Sequence, residues 1–174
     1  YGVSKLTAEN YVRKYFEDVG LETVCLRYFN VYGPRQDYCD YSGVITLFIN
    51  CVKKGLPLTV FGDGEQTRDF VYVEDVVEAN LLALKRDNAT GEVFNIGYGK
   101  EYTVNEVFEK VVKRLGKEGE IQPAYVESYR GEFPRTFADN SKARKVLGWN
   151  PLVDLDKGLD VFVKWFLSEK EKIV

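Results

Sequence analysis

The chain has 174 residues, 45% of them hydrophobic and 29% charged, and 24 Lys and Arg against 27 Asp and Glu give a net charge of −3. This composition suits a globular core, contains no apolar run near the roughly 20 residues that span a bilayer, and lacks the basic surplus of a nucleic-acid binder. Histidine is absent, which excludes a histidine base and the usual zinc sites, so no metal site is expected and catalysis must run on Tyr, Lys, Asp, Glu, Cys or a cofactor.

In chain order, Leu6, Tyr11, Val12, Tyr15, Phe16 and Val19 recur at helical spacing from about Ser4, and Gly20 follows as a natural stop. Residues 23–26 form a short apolar run that reads as a buried parallel strand. Residues 33–41 read as a loop broken by Gly33-Pro34. Val44, Ile45, Phe48, Ile49 and Val52 mark a helix ending at Gly55, and residues 58–61 a short strand leading into the flexible turn Gly62-Asp63-Gly64. A strand over 69–73 and a helix over 74–85 follow, the helix with Val76, Val77, Leu81 and Leu84 expected to face inward. Residues 93–96 form another apolar strand. Thr103-Val104-Asn105-Glu106 is a capping box opening a helix that buries Val107, Val111 and Leu115. A short helix over 141–147 stops at Gly148, and a last helix puts Leu159, Phe162, Trp165 and Phe166 on one face. Alternating helices and strands imply an α/β domain.

Cys25 and Cys51 lie in apolar runs and read as small buried hydrophobes, whereas Cys39 lies in a polar loop; reduced thiols fit a cytoplasmic protein. The chain opens at Tyr1, contains no Met and enters a helix without a capping segment, and it reads as the C-terminal part of a longer protein.

Four clusters carry polar chemistry. Tyr1 and Lys5 stand four apart, on one helical face, and an ammonium held against a phenol favours its ionised form, as an acid/base near neutrality requires. Asn30 follows a buried strand, where open α/β sheets bind ligands; it suits a phosphate or a carbonyl, or it caps the turn before Gly33-Pro34. Arg68, after the glycine turn, offers a planar fork to an anion, or it pairs with Asp63 or Asp69 at the surface. Tyr129-Arg130-Gly131-Glu132 with Ala138-Asp139 reads as a charged surface loop.

Taken together, YxxxK at 1–5, LRYFNVYGPRQ at 26–36, FGDGEQTRDFVYVEDV at 61–76, FNIG at 94–97 and ADNSKARKVLGWNP at 138–151 resemble the extended short-chain dehydrogenase/reductase family, and within it nucleotide-sugar epimerases of the UDP-glucose 4-epimerase type. The resemblance implies the C-terminal part of a Rossmann-type α/β protein, late sheet strands plus a smaller α/β substrate-binding domain. Residues 1–33 would close the NAD-binding domain, and 34–174 would be mainly the nucleotide-sugar-binding domain, with 69–97 contributing strands and a helix back to the Rossmann domain. It implies NAD as cofactor, a UDP-hexose as substrate and a homodimer packed through the first helix. By the same resemblance Tyr1 exchanges the proton of the sugar 4-hydroxyl, Lys5 meets the nicotinamide ribose, and Tyr28 and Phe29 lie beside the cofactor. Asn30 and Arg68 would meet the diphosphate, and Gly43-Val44 with Thr59, Val60 and Phe61 would enclose the base. Asn95, Arg130, Glu132 and Thr136 complete the expected substrate set. Thr136, being small, would leave room for an N-acetyl group at the sugar 2-position. The family usually has Arg-x-Gly-Asp or Arg-x-Gly-Glu in the C-terminal loop, whereas this chain has Tyr129 at the Arg position and Arg130 one residue later. Dehydratases and UDP-glucuronate decarboxylases share the scaffold, and a non-catalytic binding module is the remaining alternative; the 26–36 motif is closer to epimerases.

Overall fold

The computed structural model describes residues 1–39, 42–128, 131 and 133–169. Five helices are described, α1 (Gly2–Val19), α2 (Val44–Lys54), α3 (Val73–Lys85), α4 (Val104–Arg114) and α5 (Leu155–Glu169), with a short π-helix at Ala143–Leu147. Seven strands accompany them: β1 (Cys25–Tyr28), β2 (Asn30–Tyr32), β3 (Thr59–Phe61), β4 (Thr67–Tyr72), β5 (Val93–Ile96), β6 (Glu101–Thr103) and β7 (Ala124–Val126). β1 pairs with β5 and β3 with β7, both in parallel; β4 lies between β2, parallel to it, and β6, antiparallel to it.

β4 separates two cores. Its side chains alternate from face to face. Phe70 and Tyr72 join Tyr32, Phe48, Val107, Val111, Leu159, Phe162 and Phe166 in the larger core under α2, α4 and α5. Val71 joins Phe94, Ile96, Leu147 and Trp149 in the smaller core beside α3. Several local expectations hold. Gly20 and Gly55 close α1 and α2 in the left-handed region, φ 71° and 62°, where a Cβ is disfavoured. Thr103 and Glu106 form the reciprocal capping box. Gly158 of α5 permits close packing, since a Cβ there would meet the Tyr32 hydroxyl.

α3 differs from the expected inward face. Val77, Leu81 and Leu84 are 52%, 42% and 83% exposed, and the buried positions are Asp75, Val76, Ala79 and Ala83. The reason is the neighbour. Small side chains let α3 sit close to the π-helix, and Asp75 is drawn inward because its carboxylate accepts the N–H groups of Leu152 (2.9 Å) and Val153 (3.1 Å). α1 forms as expected but buries no residue, and Leu6, Tyr11, Tyr15 and Val19 are exposed. Cys25 and Cys51 are half-buried rather than buried, and Cys39 is exposed. Among the described residues no helix is long and apolar enough to cross a membrane.

Candidate functional site

A cavity of about 480 Å³ opens between β2, the N-terminus of α2, β3 and β4. Each wall has a sequence reason. The chain leaves β1, breaks at Phe29 and resumes as β2, so Asn30 and Tyr32 project from the start and end of a three-residue strand. Gly43 is the N-cap of α2 and no side chain caps that helix, so none competes for its first-turn N–H groups beside the cavity. Thr59, Val60 and Phe61 line the cavity from β3, and Arg68 and Phe70 from β4.

The polar groups on these walls are held. Asn30 Nδ2 donates to the Asp69 carbonyl at 3.0 Å. Arg68 Nη1 donates to the carbonyls of Thr67 (2.8 Å) and Phe133 (2.9 Å). Two glutamines outside the expected set also line the cavity. Gln36 donates through Nε2 to the Val31 carbonyl (3.3 Å) and accepts from the buried Thr46 hydroxyl (2.7 Å), while Gln66 donates to the Phe61 carbonyl (2.7 Å). Both lie inside the motifs at 26–36 and 61–76, but side-chain amides in loops carry no periodicity that would single them out. Tyr32, also on the wall, is buried, and burial pushes its phenol far above its ordinary value, so it stays protonated at any working pH.

Of the expected residues, Asn30, Gly43, Val44, Thr59, Val60, Phe61 and Arg68 come together around this one cavity. Tyr1 and Lys5 do not line it. Tyr1 is 96% exposed at the start of α1, and the Lys5 ammonium lies over its ring, 5.2 Å from the centroid, a cation–π arrangement rather than a contact at the hydroxyl. The Tyr28 hydroxyl donates to Asn80 Oδ1 (2.8 Å), and Phe29 is half-buried against Gly97. Asn95 faces a separate polar recess with Arg27, Asp139 and Lys142, and its Nδ2 donates to the Asp139 carbonyl (3.1 Å). Thr136 lies along β4, its N–H on the Thr67 carbonyl (3.1 Å). Arg130 and Glu132 lie outside the described residues.

Asp69 is the polar residue that sequence reasoning underrated. Instead of a surface carboxylate, it is fully buried and accepts N–H groups from Tyr98 (2.7 Å), Gly99 (2.9 Å) and Ala138 (3.1 Å). Burial pushes its carboxyl above the usual range, against the pull of those three donors. An acid directly before the apolar run Phe70-Val71-Tyr72 of a strand was the available signal.

The profile of the NAD dependent epimerase/dehydratase family matches residues 1–97. A putative UDP-glucose 4-epimerase of Methanocaldococcus jannaschii is 46% identical over 165 residues, 95% of this chain and 52% of that protein. A UDP-N-acetyl-alpha-D-glucosaminuronate decarboxylase of Bacillus cytotoxicus is 35% identical over 152 residues, covering 84% of this chain and 47% of its own. The crystal structure of a Thermotoga maritima UDP-glucose 4-epimerase with UDP-glucose superposes with a TM-score of 0.91 at 40% identity, over 98% of this chain and 54% of that one. The chain thus spans about half the length of the curated relatives it matches.

Proposed function

The chain belongs to the NAD dependent epimerase/dehydratase family, and from that premise we propose that it forms the nucleotide-sugar-binding part of a UDP-hexose 4-epimerase, UDP-glucose and UDP-galactose being its substrates. The observation that supports this reading is the convergence of Asn30, Gly43, Val44, Thr59, Val60, Phe61 and Arg68 on one cavity. The Asn30 amide and the Arg68 guanidinium suit a diphosphate, one as a neutral donor and the other as a charged fork. The uncapped N-terminus of α2 and the β3 strand present backbone groups and an apolar wall to a planar base.

The residues this chain contributes fit one side of an NAD site. Tyr1 and Lys5 stand together on an exposed first turn, and Phe29 presents an aromatic ring at the carboxyl end of β1, where open α/β sheets bind ligands. When bound, NAD supplies a reversible oxidant for the sugar carbinol. Tyr1 exchanges the proton of the sugar 4-hydroxyl, and Lys5 and Tyr28 contact the cofactor. In this reading residues 1–33 belong with the cofactor domain and turnover belongs to the complete protein. The exposed apolar side chains of α1 suit a homodimer packed helix to helix.

Two measurements test this. Calorimetry should show UDP binding that Arg68→Ala weakens by about 1.5–3 kcal/mol, the worth of a charged hydrogen bond; unchanged affinity refutes the diphosphate assignment. The complete protein with NAD should interconvert UDP-glucose and UDP-galactose. Loss of carbon dioxide from a UDP-uronate without any epimerisation would assign the scaffold to decarboxylation instead.

A further inference from the structure

The stretch 133–138 runs beside β4 like an added parallel strand. Thr67 N–H donates to the Pro134 carbonyl (2.9 Å), and Thr136 N–H donates to the Thr67 carbonyl (3.1 Å). In a parallel ladder Asp69 N–H would next donate to the Thr136 carbonyl, and Ala138 N–H to the Asp69 carbonyl. That carbonyl accepts from Asn30 Nδ2 (3.0 Å). Ala138 N–H goes instead to the Asp69 carboxylate, at Oδ2 (3.1 Å). The same carboxylate holds the turn after β5 through Tyr98 and Gly99, and Asn140 Nδ2 secures that turn from the other side by donating to the Gly97 carbonyl (2.8 Å). The far end of the stretch, the Phe133 carbonyl, accepts from Arg68 Nη1 (2.9 Å).

From these contacts we infer that Asp69 is a positioning residue for the nucleotide cavity, its main chain setting Asn30 and its carboxylate anchoring the 133–138 stretch against which Arg68 is oriented. This deepens, and rests on, the reading of the cavity as a nucleoside-diphosphate site. Asp69 points away from the cavity, because Arg68 and Phe70 on either side of it face in. It therefore acts on a ligand only through its neighbours. Three N–H donors share its two oxygens, an arrangement that an asparagine cannot reproduce: its single oxygen keeps one set of donors and its NH₂ group faces the other.

The test uses the complete protein with UDP as probe. Asp69→Asn should weaken UDP binding by about 10-fold in protein that remains folded by circular dichroism, since one buried donor set loses its acceptor. The substitution leaves the main-chain carbonyl, and hence the Asn30 contact, in place, so its effect must pass through Arg68. In an Arg68→Ala background the same change should then alter UDP affinity by less than about 2-fold. An equal loss in both backgrounds overturns the proposal, since a merely structural defect would be additive. If Arg68→Ala weakens UDP binding and Asp69→Asn does not, the positioning role fails while the diphosphate site stands; if Arg68→Ala has no effect, both fall. A measurement without substitution covers the case in which Asp69→Asn does not fold. By reciprocity of coupling, saturating UDP should slow amide exchange at Ala138 about 10-fold in the unaltered protein. Unchanged exchange there overturns the inference.

Discussion

Replacing Gly97 by Ala places a methyl carbon 2.5 Å from Ala138 Cβ, 3.1 Å from Phe29 Cγ and 3.2 Å from Asp69 Oδ1. Carbon atoms pack at about 3.5–4.0 Å, so the 138 segment would have to move by roughly 1 Å. None of the three neighbours is the far end of a flexible side chain, and Ala138, Gly97 and Asp69 are all buried. Overpacking of this kind costs about 1–3 kcal/mol. Stiffening of the unfolded chain by the new Cβ offsets about 0.4–1 kcal/mol of that, which leaves a destabilisation centred on about 1.3 kcal/mol and a melting point lower by about 3–5 °C. Urea unfolding followed by the fluorescence of the buried Trp149 measures it, with an unchanged m-value expected. Gly2→Ala is the control, because a Cβ at Gly2 meets nothing within 4 Å; it should be neutral or stabilising by up to about 1 kcal/mol. The exchange of partners is diagnostic: adding Ala138→Gly to Gly97→Ala removes the closest contact and should recover part of the loss. A Gly97→Ala protein with the wild-type midpoint, or a double variant no better than the single one, refutes the steric argument.

Two further outcomes follow from the same geometry. In the complete protein Tyr1→Phe should lower turnover by about 10²–10⁴, the range of general acid–base contributions, with UDP affinity unchanged because Tyr1 lies outside the cavity wall; full activity in that variant refutes the assignment. Hydrogen bonds from Lys110 and Arg114 hold the Asp156 carboxyl below the usual carboxylate range, so the unfolded chain binds the proton first as pH falls. Stability from this group is present above about pH 4–5, near the unfolded value, and is lost as pH drops through the lower folded value. Asp156→Asn should therefore lose less stability than wild type between pH 5 and about 3 in urea titrations, and parallel declines would refute the linkage. The raised Asp69 carboxyl has the opposite sign, losing stability as pH rises, and is common to both proteins.

Much of this molecule was legible residue by residue. The stops at Gly20, Gly55 and Gly148 and the capping box at Thr103 and Glu106 rest on interactions within a few residues, and such interactions are written directly in the order of side chains. The family resemblance, carried by five motifs in order, named Asn30, Gly43, Val44, Thr59, Val60, Phe61 and Arg68 as substrate contacts, and these seven line one cavity. Those residues come from four separate segments, and no periodicity links them. Their convergence depends on β2 lying beside β4 in parallel register and on α2 and β3 closing the other walls.

Tertiary structure decided the rest. Apolar spacing marked α3 as a helix and placed Val76 inside correctly, but it also turned Val77, Leu81 and Leu84 inward, because burial there follows from what packs against it: Ala79 and Ala83 face a close neighbour, and Asp75 turns inward to two N–H groups more than seventy residues away. The role of Asp69 was hidden for the same reason. A carboxylate inside a strand reads as a solvent-facing group until the turn after β5 and the stretch around Ala138 bring three N–H donors to it. Periodicity and capping record each segment's own preference, so the sequence alone determined where the helices run and stop, whereas β2, β6 and β7, three residues each, are too short to show a period and exist because a neighbouring strand pairs with them. Which side is covered, and which buried charge is satisfied, depends on donors and surfaces supplied by distant segments, and only the folded chain brings those into reach.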